Sequence, residues 1–144
     1  MFIRPAETKD LKDIIEITKL LYLKIPNFVW DDERFVVEHL EKGEYFLAEE
    51  EGKVVGVMSL RQRQNRMHIE TLAVRDEFQS NGLGTTFIEF AKEFTKKKGL
   101  NVLHVYSFVE YDRKGFYLKK GFKMLDYSGY YNNHQFYCFE MNIA

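Results

Sequence analysis

Only one cysteine, Cys138, occurs in the 144 residues, which excludes an internal disulfide and a cysteine-built metal cluster. With two prolines, Pro5 and Pro26, long stretches stay open to regular secondary structure. No apolar run approaches the roughly 20 residues that a membrane-spanning helix needs, and Met1-Phe2-Ile3-Arg4-Pro5 lacks the pattern of a signal peptide. Neither charge is in excess. The 21 Lys and Arg against 22 Asp and Glu give a net charge of −1, so there is no basic footprint for nucleic acid. Repeats, low-complexity tracts and linkers are lacking as well. These absences lead us to expect a reducing, cytoplasmic setting, with no metal, no nucleic acid and no membrane as partner.

What is present is an ordinary globular composition, 45% hydrophobic and 30% charged, at a length that suits a single domain over residues 1–144. In chain order, Phe2-Ile3-Arg4 reads as a short strand closed by Pro5. A helix follows, capped by Thr8 or Asp10. Leu11, Ile14, Ile15, Thr18, Leu21 and Tyr22 recur with helical spacing, and Pro26 stops the run. A second helix is expected over about Asp32 to Glu41, ended by Gly43. Tyr45 to Glu49 and Val54 to Arg63 form a hairpin about Glu50-Glu51-Gly52-Lys53. After Gln64-Asn65-Arg66 comes a strand, Met67 to Val74, and then a helix from about Gly84 to Lys98, ended by Gly99. Val102 to Val109 is the next strand. Asp112 caps a short helix, Arg113 to Lys120, and Phe122 to Tyr130 and Gln135 to Asn142 close the chain about Asn132-Asn133. A strand–helix–strand unit over residues 67 to 109 places its two strands parallel.

The stretch from Met67 to Gly99 organises the rest. Between its strand and its helix lies Gln79-Ser80-Asn81-Gly82-Leu83-Gly84. Backbone amides that open a helix point outward without partners, and the helix dipole favours negative charge there, so this turn is a seat for phosphate. A side chain at Gly82 or Gly84 would hold a pyrophosphate away from those amides. Two other glycine motifs do not fit: no Gly-Lys-Ser/Thr run follows, and Phe87 stands where a dinucleotide fingerprint has its third glycine. The Q-x-x-G-x-G pattern after Ile69-Glu70-Thr71-Leu72-Ala73-Val74 resembles the GNAT superfamily of N-acyltransferases, and nearly the whole chain shares the likeness. A second segment, Gly115-Phe116-Tyr117-Leu118-Lys119-Lys120-Gly121-Phe122, resembles the superfamily's F/L-Y-x-x-x-G-F.

The resemblance implies an α/β fold with a mixed, mostly antiparallel seven-stranded sheet, a central splayed parallel pair and flanking helices. It implies acetyl-coenzyme A as co-substrate and direct attack by a primary amine in a ternary complex. Gln79, Ser80, Asn81, Gly82, Leu83, Gly84 and Thr85 would hold the pyrophosphate, while Leu72, Ala73 and Val74 would pair with the pantetheine arm like an added strand. The Leu72 amide would polarise the thioester carbonyl, and Tyr117 would protonate or hydrogen-bond the departing thiolate. Where the family often carries Asn seven residues before the tyrosine and a small residue four before it, this chain has Glu110 and Arg113. A pantetheine hydrogen bond from that position would fall to Glu110.

For deprotonating the amine, the candidates are Glu70 first and His68 second, two residues apart on one strand face and so about 7 Å apart. Other residues stay open between roles. Phe28 and Trp30 either wall a substrate pocket or plug two helices. Arg61, Arg63 and Arg66 either steer an anion or, the reading preferred here, form a solvated hairpin. His104 fills a sheet face, and Cys138 is a structural thiol. Tyr106, Tyr111, Tyr127, Tyr130, Tyr131, Phe136 and Tyr137 form either a pocket for a cationic amine or, preferred, the seam of a homodimer. The acceptor is a small-molecule or peptide amine, and Asp31-Asp32-Glu33 leans towards a cationic one. Two rival readings are a non-catalytic acyl-coenzyme A-binding module and a nucleotide-phosphate binder.

Overall fold

A computed structural model describes residues 2–79 and 82–143. Seven strands make one sheet in the order β1-β2-β3-β4-β5-β7-β6. In chain order these are β1 (Phe2–Pro5), α1 (Leu11–Thr18), α2 (Glu33–Glu41), β2 (Tyr45–Glu50), β3 (Lys53–Arg63), β4 (Arg66–Val74), α3 (Leu83–Lys97), β5 (Val102–Phe108), α4 (Lys114–Lys119), β6 (Lys123–Tyr131) and β7 (His134–Asn142). The expected order of strands and helices is therefore present. The contacts divide the chain into two compact units, one holding the chain to Leu60 with Thr71–Phe87, the other Arg61–Glu70 with the chain from Ile88.

In the first unit β1, β2 and β3 pair antiparallel, with Arg4 opposite Leu47 and Leu47 opposite Val57. The β2–β3 turn puts Glu51 and Gly52 both at positive φ, the geometry whose twist matches the strands it joins. The apolar stripe of α1 supplies Ile14 and Ile17, which pack with Val36, Tyr45, Leu47, Val54, Val57 and Ala73. Helix α1 is shorter than its periodicity suggests. The buried Thr18 hydroxyl bonds back to the Ile14 carbonyl, and the chain tightens into a 3-10 turn over Lys19–Leu21.

Two expected caps differ. Asp10 does not cap α1: its carboxylate accepts a two-pronged bond from Arg4 at 2.9 Å and one from the Glu7 amide at 2.7 Å. The Arg4 guanidinium holds that buried carboxyl below the usual range, against the opposing effect of burial. Asp112 does not cap α4 either. It sits at φ 53 after a 3-10 turn over Val109–Tyr111, and α4 begins after Arg113. Asp32 does cap α2, accepting from the Arg34 and Phe35 amides.

In the second unit β4 and β5 are parallel, pairing Met67, His68 and Ile69 with Leu103, His104 and Val105. The antiparallel β5–β7 ladder runs from Val102 opposite Asn142 to Phe108 opposite Phe136. β6 pairs with β7 and its register shifts between Met124 and Ser128. A Cβ on Gly129 would lie 2.4 Å from the ring of Phe136, its cross-strand partner, so glycine is what lets that ring lie across β6.

Candidate active site

The first group of expected site residues belongs to the first unit. Along β4, Thr71 and Ala73 are buried while Leu72 and Val74 are half-buried, the alternation of a strand with one covered face. Arg75 anchors the end of the strand: its amide bonds to the Val55 carbonyl, its Nε to the Val54 carbonyl, and its Nη1 to Glu16 at 2.6 Å. A 3-10 turn, Asp76–Phe78, follows. The Gln79 side-chain amide donates to the Val74 carbonyl and to Asp76 Oδ1, both at 3.1 Å, and so shapes the loop from within. Ser80 and Asn81 lie outside the described residues.

Gly82 has φ +75, and a Cβ built there would meet nothing within 4 Å, so its surroundings are open to a ligand. Thr86 donates to the Gly82 carbonyl from its amide at 3.1 Å and from its hydroxyl at 3.2 Å. That is the first bond of α3, and the amides of Leu83, Gly84 and Thr85 come before it, at the positive end of a 15-residue helix. The Leu83 side chain is fully buried, which leaves its backbone as the part able to meet a ligand. Glycine 56 fits the same helix to the sheet: a Cβ there would stand 2.8 Å from Phe87 Cε2 and 3.1 Å from Leu83 Cδ2.

The second unit carries the polar groups. Glu70 faces two guanidinium groups, with Arg61 Nη1 at 3.5 Å from Oε1 and Arg63 Nη2 at 3.3 and 3.4 Å from Oε1 and Oε2. His68 is buried at 1% exposure, and neither ring nitrogen has a hydrogen-bond partner among the described residues. Burial first, and then the neighbouring His104, push its pKa down to about 3, so its imidazole is neutral at physiological pH. The His68 ring lies 4.8 Å from that of His104 and 5.6 Å from that of Tyr106. His104 Nδ1 is 3.3 Å from Glu140 Oε2, which also accepts from Arg66 Nη1 at 2.7 Å. Burial alone would raise the Glu140 carboxyl, but the bonds from Arg66 and His104 outweigh it and hold it low. Burial lowers His104 and raises the Tyr106 phenol.

Arg61, Arg63 and Arg66 are therefore not a solvated hairpin. Each holds a carboxylate, with side-chain exposures of 23, 40 and 35%. Sequence reasoning passed over this pairing, although a signal was there. Alternation on either side of the two-residue turn Gln64-Asn65 puts Arg61, Arg63, Arg66, His68 and Glu70 on one face.

Tyr117 and Glu110 lie in other elements of this unit, each with its own neighbours. Tyr117, in α4, is buried against Phe116, Phe122 and Phe139 at ring distances of 5.1 to 5.4 Å, and burial raises its phenol to about 12. Glu110 is bonded to His134 Nδ1, whose contact lowers the carboxyl. Gly115 opens onto empty space, so tight packing is not what places a glycine in α4. Burial raises the Cys138 thiol, which suits a structural role. Asp31 pairs with Lys19 at 3.8 Å and Asp32 is the cap of α2, so the acidic run already has structural work. Among the described residues no group of three or more metal-ligating side chains comes together.

The seven-stranded sheet with β4 and β5 parallel, together with a glycine turn opening α3, defines an acyltransferase fold. Residues 11–122 match the model of the acetyltransferase (GNAT) family, and the chain belongs to it. An uncharacterized N-acetyltransferase of Chlorobaculum tepidum is 26% identical over 92 residues, 63% of this chain. The match spans 56% of that relative's length. Among solved structures, Ard1 of Thermoplasma volcanium superposes with a TM-score of 0.85 at 15% identity, covering 99% of this chain and 97% of that one. The PaiA N-acetyltransferase of Thermoplasma acidophilum, in complex with coenzyme A, superposes at 0.75 with 21% identity and 98% of both chains covered. At these identities the structures speak for the fold.

Proposed function

We propose that this chain, working as one domain, is an N-acetyltransferase that moves an acetyl group from acetyl-coenzyme A to a primary amine. The observation that carries the reading is the seat at the start of α3. An open Gly82 is followed by three amides that precede the first helical bond, and the Gln79 side chain shapes the loop beside them. The residues fit a diphosphate there: Gly82, Leu83, Gly84 and Thr85 offer backbone N–H groups, and Gln79, Ser80 and Asn81 are carried over from the sequence as further contacts. Leu72, Ala73 and Val74 would run beside the pantetheine arm, and Glu110 stands where the resemblance puts a further contact to it.

In the proposed reaction the amine lone pair attacks the thioester carbonyl carbon. A C–N bond forms and the C–S bond breaks. The Leu72 amide donates to the carbonyl oxygen as negative charge develops on it. Glu70 accepts the amine proton, directly or through water, and Tyr117, protonated throughout the physiological range, donates to the departing sulfur. His68, neutral and without a hydrogen-bond partner among the described residues, is the second candidate for the proton. Much of the acceleration comes from holding amine and thioester in contact. An amine panel with free-thiol release as readout tests the reading. Turnover with at least one amine is the expected result, and coenzyme binding with no amine ever acylated would establish the binding-module reading in its place.

A further inference from the structure

We propose that the acceptor is a primary amine with an aromatic body, and that Tyr106 selects it, its ring receiving that body while Glu70 receives the amine. The inference rests on the acetyl-transfer reading above and names the substrate class for it.

The register of β4 and β5 brings the two residues together. Their parallel ladder pairs Met67, His68 and Ile69 with Leu103, His104 and Val105. The next residue on each strand is Glu70 and Tyr106. Side chains alternate along a strand, so Glu70 shares a face with His68, and Tyr106 shares one with His104. These are the same face of the sheet, because the His68 ring lies 4.8 Å from that of His104 and 5.6 Å from that of Tyr106. Glu70 and the Tyr106 ring thus flank the point where the described ladder ends.

Exposure sets Tyr106 apart on that face. His68 and His104 are buried at 1%, whereas the ring that lies against both is 37% exposed. Tyr106 is stacked on His68 at 23° and meets His104 and Phe136 edge-on at 4.5 and 5.2 Å. Phe136 can lie there because its partner on β6 is Gly129, where a Cβ would stand 2.4 Å from the ring. Three rings therefore fix the orientation of Tyr106, and its open part remains for a further ring, stacked or edge-on.

Charge points the same way. Burial raises the Tyr106 phenol while Arg63 and Arg66 pull it down, so their positive charge reaches the ring. A second ammonium group on the acceptor would be repelled by that charge, and an uncharged aromatic body is not. The same field favours the neutral form of the amine, which attack on the thioester requires. Beneath Tyr106 the imidazole of His68 is neutral and adds no charge of its own.

The test compares kcat/KM for phenethylamine, cyclohexylethylamine and the diamine putrescine in wild type, Tyr106→Leu and Tyr106→Phe. We expect wild type to favour phenethylamine over its saturated analogue about threefold to tenfold, and over the diamine by more. Tyr106→Leu should raise the KM for phenethylamine and bring the two ring-bearing amines level, whereas Tyr106→Phe should keep the preference. A diamine or cyclohexyl amine used as well as phenethylamine overturns the inference while leaving acetyl transfer intact. These wild-type ratios stand whether or not the leucine variant folds. A preference unmoved in Tyr106→Leu overturns it too, and a lost dimer in that variant's sedimentation would then assign the ring to a subunit seam. If wild type acylates no amine, the reading of the activity falls, and thermal protection decides the site. Greater protection by N-acetylphenethylamine than by its cyclohexyl analogue, lost in Tyr106→Leu and kept in Tyr106→Phe, upholds the aromatic site; equal protection by the two overturns it.

Discussion

Two side chains show how burial sets chemistry one residue at a time. Tyr117 is enclosed by three aromatic rings, so its phenol stays protonated and is a donor. Tyr117→Phe keeps the ring packing and removes the donor. We expect kcat to fall about 10- to 100-fold with coenzyme affinity nearly unchanged, read from initial rates and a binding titration. His68 titrates near 6.5 when unfolded and near 3 when folded. The folded state binds the proton more weakly, so the stability tied to neutral His68 is complete above pH 6.5 and drains away as pH falls towards 3. By pH 4 the loss is at most roughly 3 kcal/mol. His68→Leu should flatten this part of the curve relative to wild type in thermal melts between pH 7 and pH 4. Equal slopes in the two proteins would show that the imidazole is hydrated after all.

At the scale of elements, the approach of α3 to β3 depends on a missing side chain. Leu83 and Phe87 lie where a Cβ on Gly56 would be, so Gly56→Ala must push back the first turns of the helix that opens on the proposed diphosphate seat. We expect a loss of about 1–3 kcal/mol in urea unfolding, together with weaker coenzyme binding. The helices and strands themselves were largely legible. Periodicity marked α1, Gly43 marked the end of α2, and Gly99 marked the end of α3. The caps at Asp10 and Asp112 were misread because each local choice had a distant or conformational competitor. For Asp10 the competitor was the Arg4 fork reaching across from β1, and for Asp112 it was a left-handed backbone after a 3-10 turn.

For the whole molecule, the family match places the chain in the acetyltransferase (GNAT) family, and a ligand that binds only the folded state must raise its melting temperature. Coenzyme A at about 100 times its Kd should stabilise by roughly 2.7 kcal/mol, and a nucleoside triphosphate at the same concentration should give little. Gly82→Val should abolish the coenzyme effect, because a β-branched residue resists φ +75 and its side chain would fill the open space at the turn. Protection of the variant equal to that of wild type would move the coenzyme elsewhere.

From its residues alone the chain was readable as far as local physics reaches. Alternation, helical spacing and turn glycines determined the element order, and a glycine pair between strand and helix marked the place proposed here for the coenzyme's diphosphate. Tertiary structure decided the partners. Arg66 meets Glu140 and His68 lies against His104 because strands distant in the chain come together side by side, and burial then sets which groups stay charged. Spacing along a chain reports which face a side chain takes, whereas the energy of a charge depends on what stands across from it.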